Sequence, residues 1–118
     1  FNNRQTKSAV EKAQFQYNSS LLNLQDKQKG LYTEIETLWL DALNAQQQYA
    51  AAEVKLKSSQ TSFDMVSEQF RLGMKNTVEL LTEKNNLLSA QHQRVQAKYM
   101  AILNRTLLDF YAGKDIEL

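Results

Sequence analysis

Phe70-Arg71-Leu72-Gly73-Met74-Lys75-Asn76-Thr77-Val78-Glu79 is the stretch that decides the fold. Gly73 follows the last residue of a long apolar periodicity, where a glycine in the left-handed conformation closes a helix. Asn76 stands three residues before Glu79, the spacing of a capping box that opens a new helix, and the Glu79 carboxylate suits the positive end of that helix. So short a connection forces its two helices antiparallel. The stretch predicts a hairpin, with a helix over 3–72, a turn over 73–76, a returning helix over 77–112 and a tail over 113–118.

Upstream, one set of positions seven apart reads Tyr17, Leu24, Leu31, Leu38, Ala45, Ala52, Ser59 and Val66. The set four residues further on reads Leu21, Gln28, Ile35, Ala42, Tyr49, Leu56, Phe63 and Phe70. Alternation of four and three keeps one face of an underwound helix toward a partner. About seventy helical residues would span roughly 105 Å. Asn2 and Asn3 are placed to cap this helix, with Gln5 able to complete a capping box on Asn2. Gly30, its one interior glycine, costs about 1 kcal/mol relative to Ala, tolerable in so long a helix, and could also mark a place where another backbone comes close.

Downstream, Val78, Leu81, Asn85, Leu88, His92, Val95, Tyr99, Ile102 and Thr106 follow the same alternation. Leu80, Leu87, Leu103, Leu107 and Phe110 widen the apolar face, and Gly113 is the expected stop. This helix, of about 36 residues and roughly 54 Å, is half the length of the first. The first half of helix one, with Leu21, Leu24, Leu31, Ile35, Leu38 and Trp39, is therefore expected to lack a partner within the chain.

Composition agrees with a thin object. Only 42% of the 118 residues are hydrophobic, too few for a thick core, and a narrow two-helix seam suits them. Fourteen basic residues balance thirteen acidic ones without a basic block or face, which disfavours a nucleic-acid arm. There is no cysteine, so disulfide and thiolate chemistry are out. No apolar run approaches the ~18 residues of a spanning helix. The chain opens at Phe1 with no initiator Met or signal-like segment, and is read as a piece of a longer polypeptide.

No catalytic or cofactor constellation emerges. His92, the only histidine, has no second His or Cys for a metal and no triad context, so it reads, like Asn85, as a polar seam residue that sets register. The three glycines are isolated and form no phosphate loop. The expectation is a non-enzyme with no metal and no cofactor. Trp39, Phe15, Tyr32, Tyr49 and Tyr99 read as packing between helices rather than a ligand platform. Alanines at 42, 45, 50, 51 and 52, with Ala90, Ala97 and Ala101, lie on more than one face, so each helix is expected to touch more than one neighbour. Glu79 and Glu83, with Arg71, Lys75 and Lys84 around them, are either a solvated hairpin end or charges that meet where several hairpins converge.

Residues 70–113 resemble the second coiled-coil hairpin of the TolC-like outer-membrane efflux proteins. The resemblance rests on Phe70, Gly73, Glu79, Leu80 and Leu81, then on the returning helix with Leu87, Leu88, Ala90, Gln91, Ala97, Ala101 and Leu107 up to Gly113. Phe1-Asn2-Asn3-Arg4 is similar to the family's exit from a barrel strand into its long helix. The resemblance implies an all-α hairpin within a trimeric α-barrel. Three protomers with two hairpins each would form a periplasmic tunnel hanging from an outer-membrane β-barrel. The tip, with Phe70, Arg71, Gly73, Met74, Lys75, Asn76 and Thr77, would dock a periplasmic adaptor and through it an inner-membrane pump.

It also implies an entrance constriction. Glu79 matches the family's first entrance acid. The second, commonly Asp, is here Thr82; Glu83 is adjacent but turned about 100° around the helix. Phe70 stands where the family usually has Tyr, and Arg71 and Lys75 are candidates to pair with a neighbouring protomer's acids. Two rivals stay open, the helical hairpin of an adaptor protein and a plain structural coiled coil.

Overall fold

The computed structural model describes residues 2–113, and helix covers nearly all of them. Helix α1 runs Asn2–Arg71, 70 residues, and helix α2 runs Thr77–Tyr111, 35 residues, so one is twice the other. The described residues contain no strand. The chain is an all-α helical hairpin. Asn2 and Asn3 already lie within α1, so neither takes the capping position expected of them, and the Asn2 carbonyl accepts from the Thr6 hydroxyl at 2.9 Å. The expected tail beyond Gly113, and Phe1 with its expected place at the exit from a barrel strand, lie outside the described residues.

The chain divides into two units at Thr37 and Leu38. In the first, every described residue is solvent-exposed except Ser19 and Ile35, which are half-buried. Tyr17, Leu21, Leu24 and Leu31 hold their heptad positions with 41–65% of their surface exposed. Exposed as they are, these side chains add little burial energy, and the helix there rests mainly on local terms. Thr6, Ser20, Thr33 and Thr37 each turn the hydroxyl back to the carbonyl four residues earlier. Around Gly30 nothing lies within 4 Å of the point a Cβ would occupy, so no backbone approaches it.

The second unit holds the hairpin. Along α1, Leu38, Ala42, Ala45, Tyr49, Ala52, Leu56, Ser59, Phe63 and Val66 are buried or half-buried, at the four–three alternation of the sequence. Along α2, Leu80, Glu83, Leu87, Ala90, Arg94, Ala97, Ala101, Asn104 and Leu108 are buried or half-buried, and Asp109 beside Leu108 is half-buried as well. Asp109 apart, that is a perfect heptad seam, but a different one from the stripe expected on α2. Val78, Leu81, Leu88, Val95, Tyr99 and Ile102 are 47–71% exposed, and His92 and Asn85 are exposed with them, so none sets the register against α1. Leu80 and Leu87, from the widened apolar face, do stand in the seam with Leu108, but most of its other contacts come from small or polar residues, while Leu81, Leu88, Val95 and Ile102 face away from α1.

Alanine explains the choice. Among the described residues, Ala45, Ala90 and Ala101 are three of the four buried ones, with Leu87 the fourth. Small side chains let helix backbones approach, and close approach brings many weak atom contacts that compensate for the little apolar area each removes from water. The seam extends to the end of α2. Leu38 is half-buried and Trp39 lines a hollow with Leu108 and Arg105, so these two do have partners within the chain. Ala112 N–H bonds the Leu108 carbonyl at 2.9 Å, and Gly113 follows at φ +84°, which ends the helix.

Candidate functional site: the hairpin tip

The tip is built from backbone outward. Met74 N–H reaches the Gln69 carbonyl at 2.8 Å and Gly73 N–H the Phe70 carbonyl at 3.0 Å, the paired bonds of a Schellman stop. They require the residue between to be left-handed, and Gly73 has φ +75°. Three residues on, the Asn76 side-chain oxygen accepts the Glu79 N–H at 2.9 Å, and Glu79 Oε2 accepts the Asn76 N–H at 3.0 Å. The capping box is complete. One helix stops and the next starts with their end groups met by local partners.

This closure assigns the charges. The Glu79 carboxylate folds back on the first turn of α2, and Lys75 Nζ stands 3.9 Å from its Oε1. Arg71 pairs with Glu68 on its own helix. That contact holds the Glu68 carboxyl below and the Arg71 guanidinium above their ordinary values. Within this chain both tip cations therefore have a partner. Thr82 donates its hydroxyl to the Val78 carbonyl at 2.8 Å. Glu79 and Thr82 lie on one side of α2, whereas Glu83 occupies a seam position between Leu80 and Leu87, half-buried toward α1.

Apolar side chains crown the turn. Phe70, Leu72, Met74 and Val78 are 39%, 59%, 67% and 71% exposed. None is required by the local hydrogen bonding, and together with Lys75 and Thr77 they form a mixed apolar and cationic end.

A second polar cluster escaped the sequence reading. Arg94 reaches across from the α2 seam to Glu53 at 3.4 Å. The Tyr49 hydroxyl, one turn before Glu53 on α1, is the main cause that holds this carboxyl below its ordinary value, with Arg94 contributing, and the Tyr49 hydroxyl is raised in turn. On the other side, Lys55 Nζ donates to Gln93 Oε1 at 2.9 Å. The signal was present as opposite charges on the two helices, but pairing them needs the true register.

Among the described residues no group of three or more His, Asp or Glu is placed to hold a metal ion, and no helix is long and apolar enough to cross a membrane. Neither the curated proteins nor the solved structures contain a match to the chain. The family model described as Outer membrane efflux protein matches residues 1–114, and so takes in both helices and the tip between them. The chain belongs to the outer membrane efflux protein family.

Proposed function

We propose that this chain is a wall segment of a periplasmic tunnel, built from three protomers with two such hairpins each, whose tip docks an adaptor protein and whose entrance is narrowed by Glu79. Family membership makes the chain a component of an outer-membrane efflux channel and favours that reading over an adaptor hairpin or a plain tether. Export of small molecules, energised by a pump reached through the adaptor, is the function this geometry serves best.

One observation carries the proposal: α2 has two seams. The first, through Leu87, Ala90 and Ala101, is filled by α1. The second, through Leu81, Leu88, Val95 and Ile102, is exposed. At 3.5 residues per turn the two seam centres lie about 155° apart around the helix. Helices joined through such seams turn by about 25° each and close a ring of roughly fourteen, close to the twelve that six hairpins supply. A tether has no use for the second seam.

The test is Val95→Asp in the complete protein. A carboxylate at this position leaves the alanine seam intact but places charge in the proposed contact with a neighbouring hairpin. Loss of the trimer and of efflux, with helix content retained, is expected. An assembled, fully active Val95→Asp protein would overturn the proposal.

A further inference from the structure

The hairpin has two flanks of different chemistry. Lys55 bonding to Gln93 fixes one, on which the heptad columns through Gln48 and Lys55 of α1 and through Glu79 and Gln93 of α2 run side by side. Arg94 bonding to Glu53 fixes the other, which carries Gln46 and Glu53 of α1 beside Gln91, Lys98 and Arg105 of α2.

The second flank is cationic and uneven. Lys84, Lys98 and Arg105 lie along it, and Trp39, Tyr49 and Ile102 line hollows in it. The first flank is nearly free of fixed charge: amides and hydroxyls cover its middle, and exposed Met65, Met100, Leu103, Leu107 and Phe110 stand in the same columns toward its ends. From α1 it presents Asn44, Gln48, Ser58 and Ser62; from α2, Asn86, Ser89, Gln93 and Gln96. Among the positions of these columns in the second unit, fixed charge falls only at Asp41, Lys55 and Glu79.

We propose that the amide and hydroxyl flank lines the conduit and forms a wall that passes small polar solutes of either charge sign, leaving charge discrimination to Glu79 at the tip. The assignment rests on the tunnel reading above, because Glu79 stands on this flank and that reading puts it at the entrance. The spacing of the charges carries the rest. Asp41 and Lys55 are fourteen residues apart on α1, and Glu79 and Gln93, the partner of Lys55, are fourteen apart on α2. Successive charged levels are therefore separated by about 21 Å of helix. They also alternate in sign. At physiological salt a fixed charge is screened over about 8 Å, so each level is isolated and the wall between carries no net field. Neutral amides and hydroxyls offer every solute both donors and acceptors, and so hold none by charge.

Two chemically identical substitutions five residues apart test this. Gln96→Glu adds a carboxylate on the proposed lumenal flank, and Gln91→Glu adds one on the opposite flank. The complete channel protein is placed in a planar bilayer under a potassium chloride gradient, and the reversal potential gives the potassium-to-chloride permeability ratio. Gln96→Glu is expected to raise that ratio about twofold or more and Gln91→Glu to leave it unchanged. Glu79→Gln is expected to bring it within about twofold of unity. A response to Gln91→Glu with silence from Gln96→Glu overturns the flank assignment while the tunnel reading stands. Strong selectivity surviving Glu79→Gln overturns the neutral wall. A channel whose permeability ratio responds to none of the three is not lined by this hairpin, and the tunnel reading itself then falls.

Discussion

Replacing Gly73 is the sharpest test of how the tip is held. Its φ of +75° lies in the left-handed region, which costs an L-residue about 1–2 kcal/mol. Nothing lies within 4 Å of the point its Cβ would occupy, so alanine adds strain and no collision. Alanine also stiffens the unfolded chain, which offsets about 0.4–1 kcal/mol. Gly73→Ala should therefore destabilise the hairpin by about 1 kcal/mol net. Gly73→Val should cost more, because β-branching fits this region poorly, whereas Gly73→Asn should be close to neutral. Gly30 provides the opposite sign within the same chain. It too has open space around its Cβ position but lies inside a helix, so Gly30→Ala should gain about 1 kcal/mol of helix propensity and raise the helical circular dichroism. Urea unfolding with an unchanged slope reads the first effect directly. A Gly73→Ala midpoint equal to or above the parent, or a valine variant no worse than asparagine, would refute the reasoning. If the tip docks an adaptor as proposed, Gly73→Val should also weaken cross-linking to it and lower efflux in the complete protein.

Two further outcomes follow from the geometry. Glu53 holds its proton less tightly when folded, because the Tyr49 hydroxyl and Arg94 favour the carboxylate over its ordinary value of 4.5. The stability it adds is full above the ordinary carboxylate range and fades as the pH falls through its lowered folded value. Glu68 behaves the same way through Arg71, so Glu53→Gln should remove only part of the acid loss seen between neutral and strongly acidic solution; an unchanged acid loss in urea midpoints would count against the cluster. Second, amides of residues 2–37 should exchange with solvent faster than those of 38–111 in a proven monomer, since only the latter have a covered seam. Equal protection in both would contradict this.

How much of this was legible depends on how local the signal is. The tip reads directly from the sequence because Gly73, Asn76 and Glu79 act through bonds within five residues. The α1 stripe is also legible, since its covered positions in the hairpin coincide with its strongest apolar alternation. On α2 the same method selects the wrong side. It ranks Leu81, Leu88, Val95 and Ile102 above Ala90, Arg94, Ala97 and Ala101, because periodicity weighs hydrophobicity and not the closeness of approach that alanine permits. A helix with two faces presents two periodic answers, and one sequence does not say which belongs to which neighbour. The Glu53–Arg94 contact and the seam position of Glu83 depend on that choice, so both were hidden with it.

The self-contained closure of the tip bears on how such a protein changes partners. The turn is held by backbone bonds, one glycine and the Asn76–Glu79 pair, whereas the side chains of Leu72 and Met74 are exposed and take no part in those bonds. Frame and lettering are thus separate. The residues that would meet a partner can be rewritten by mutation without disturbing the bend that displays them, so recognition can drift at this position while the architecture stays inherited.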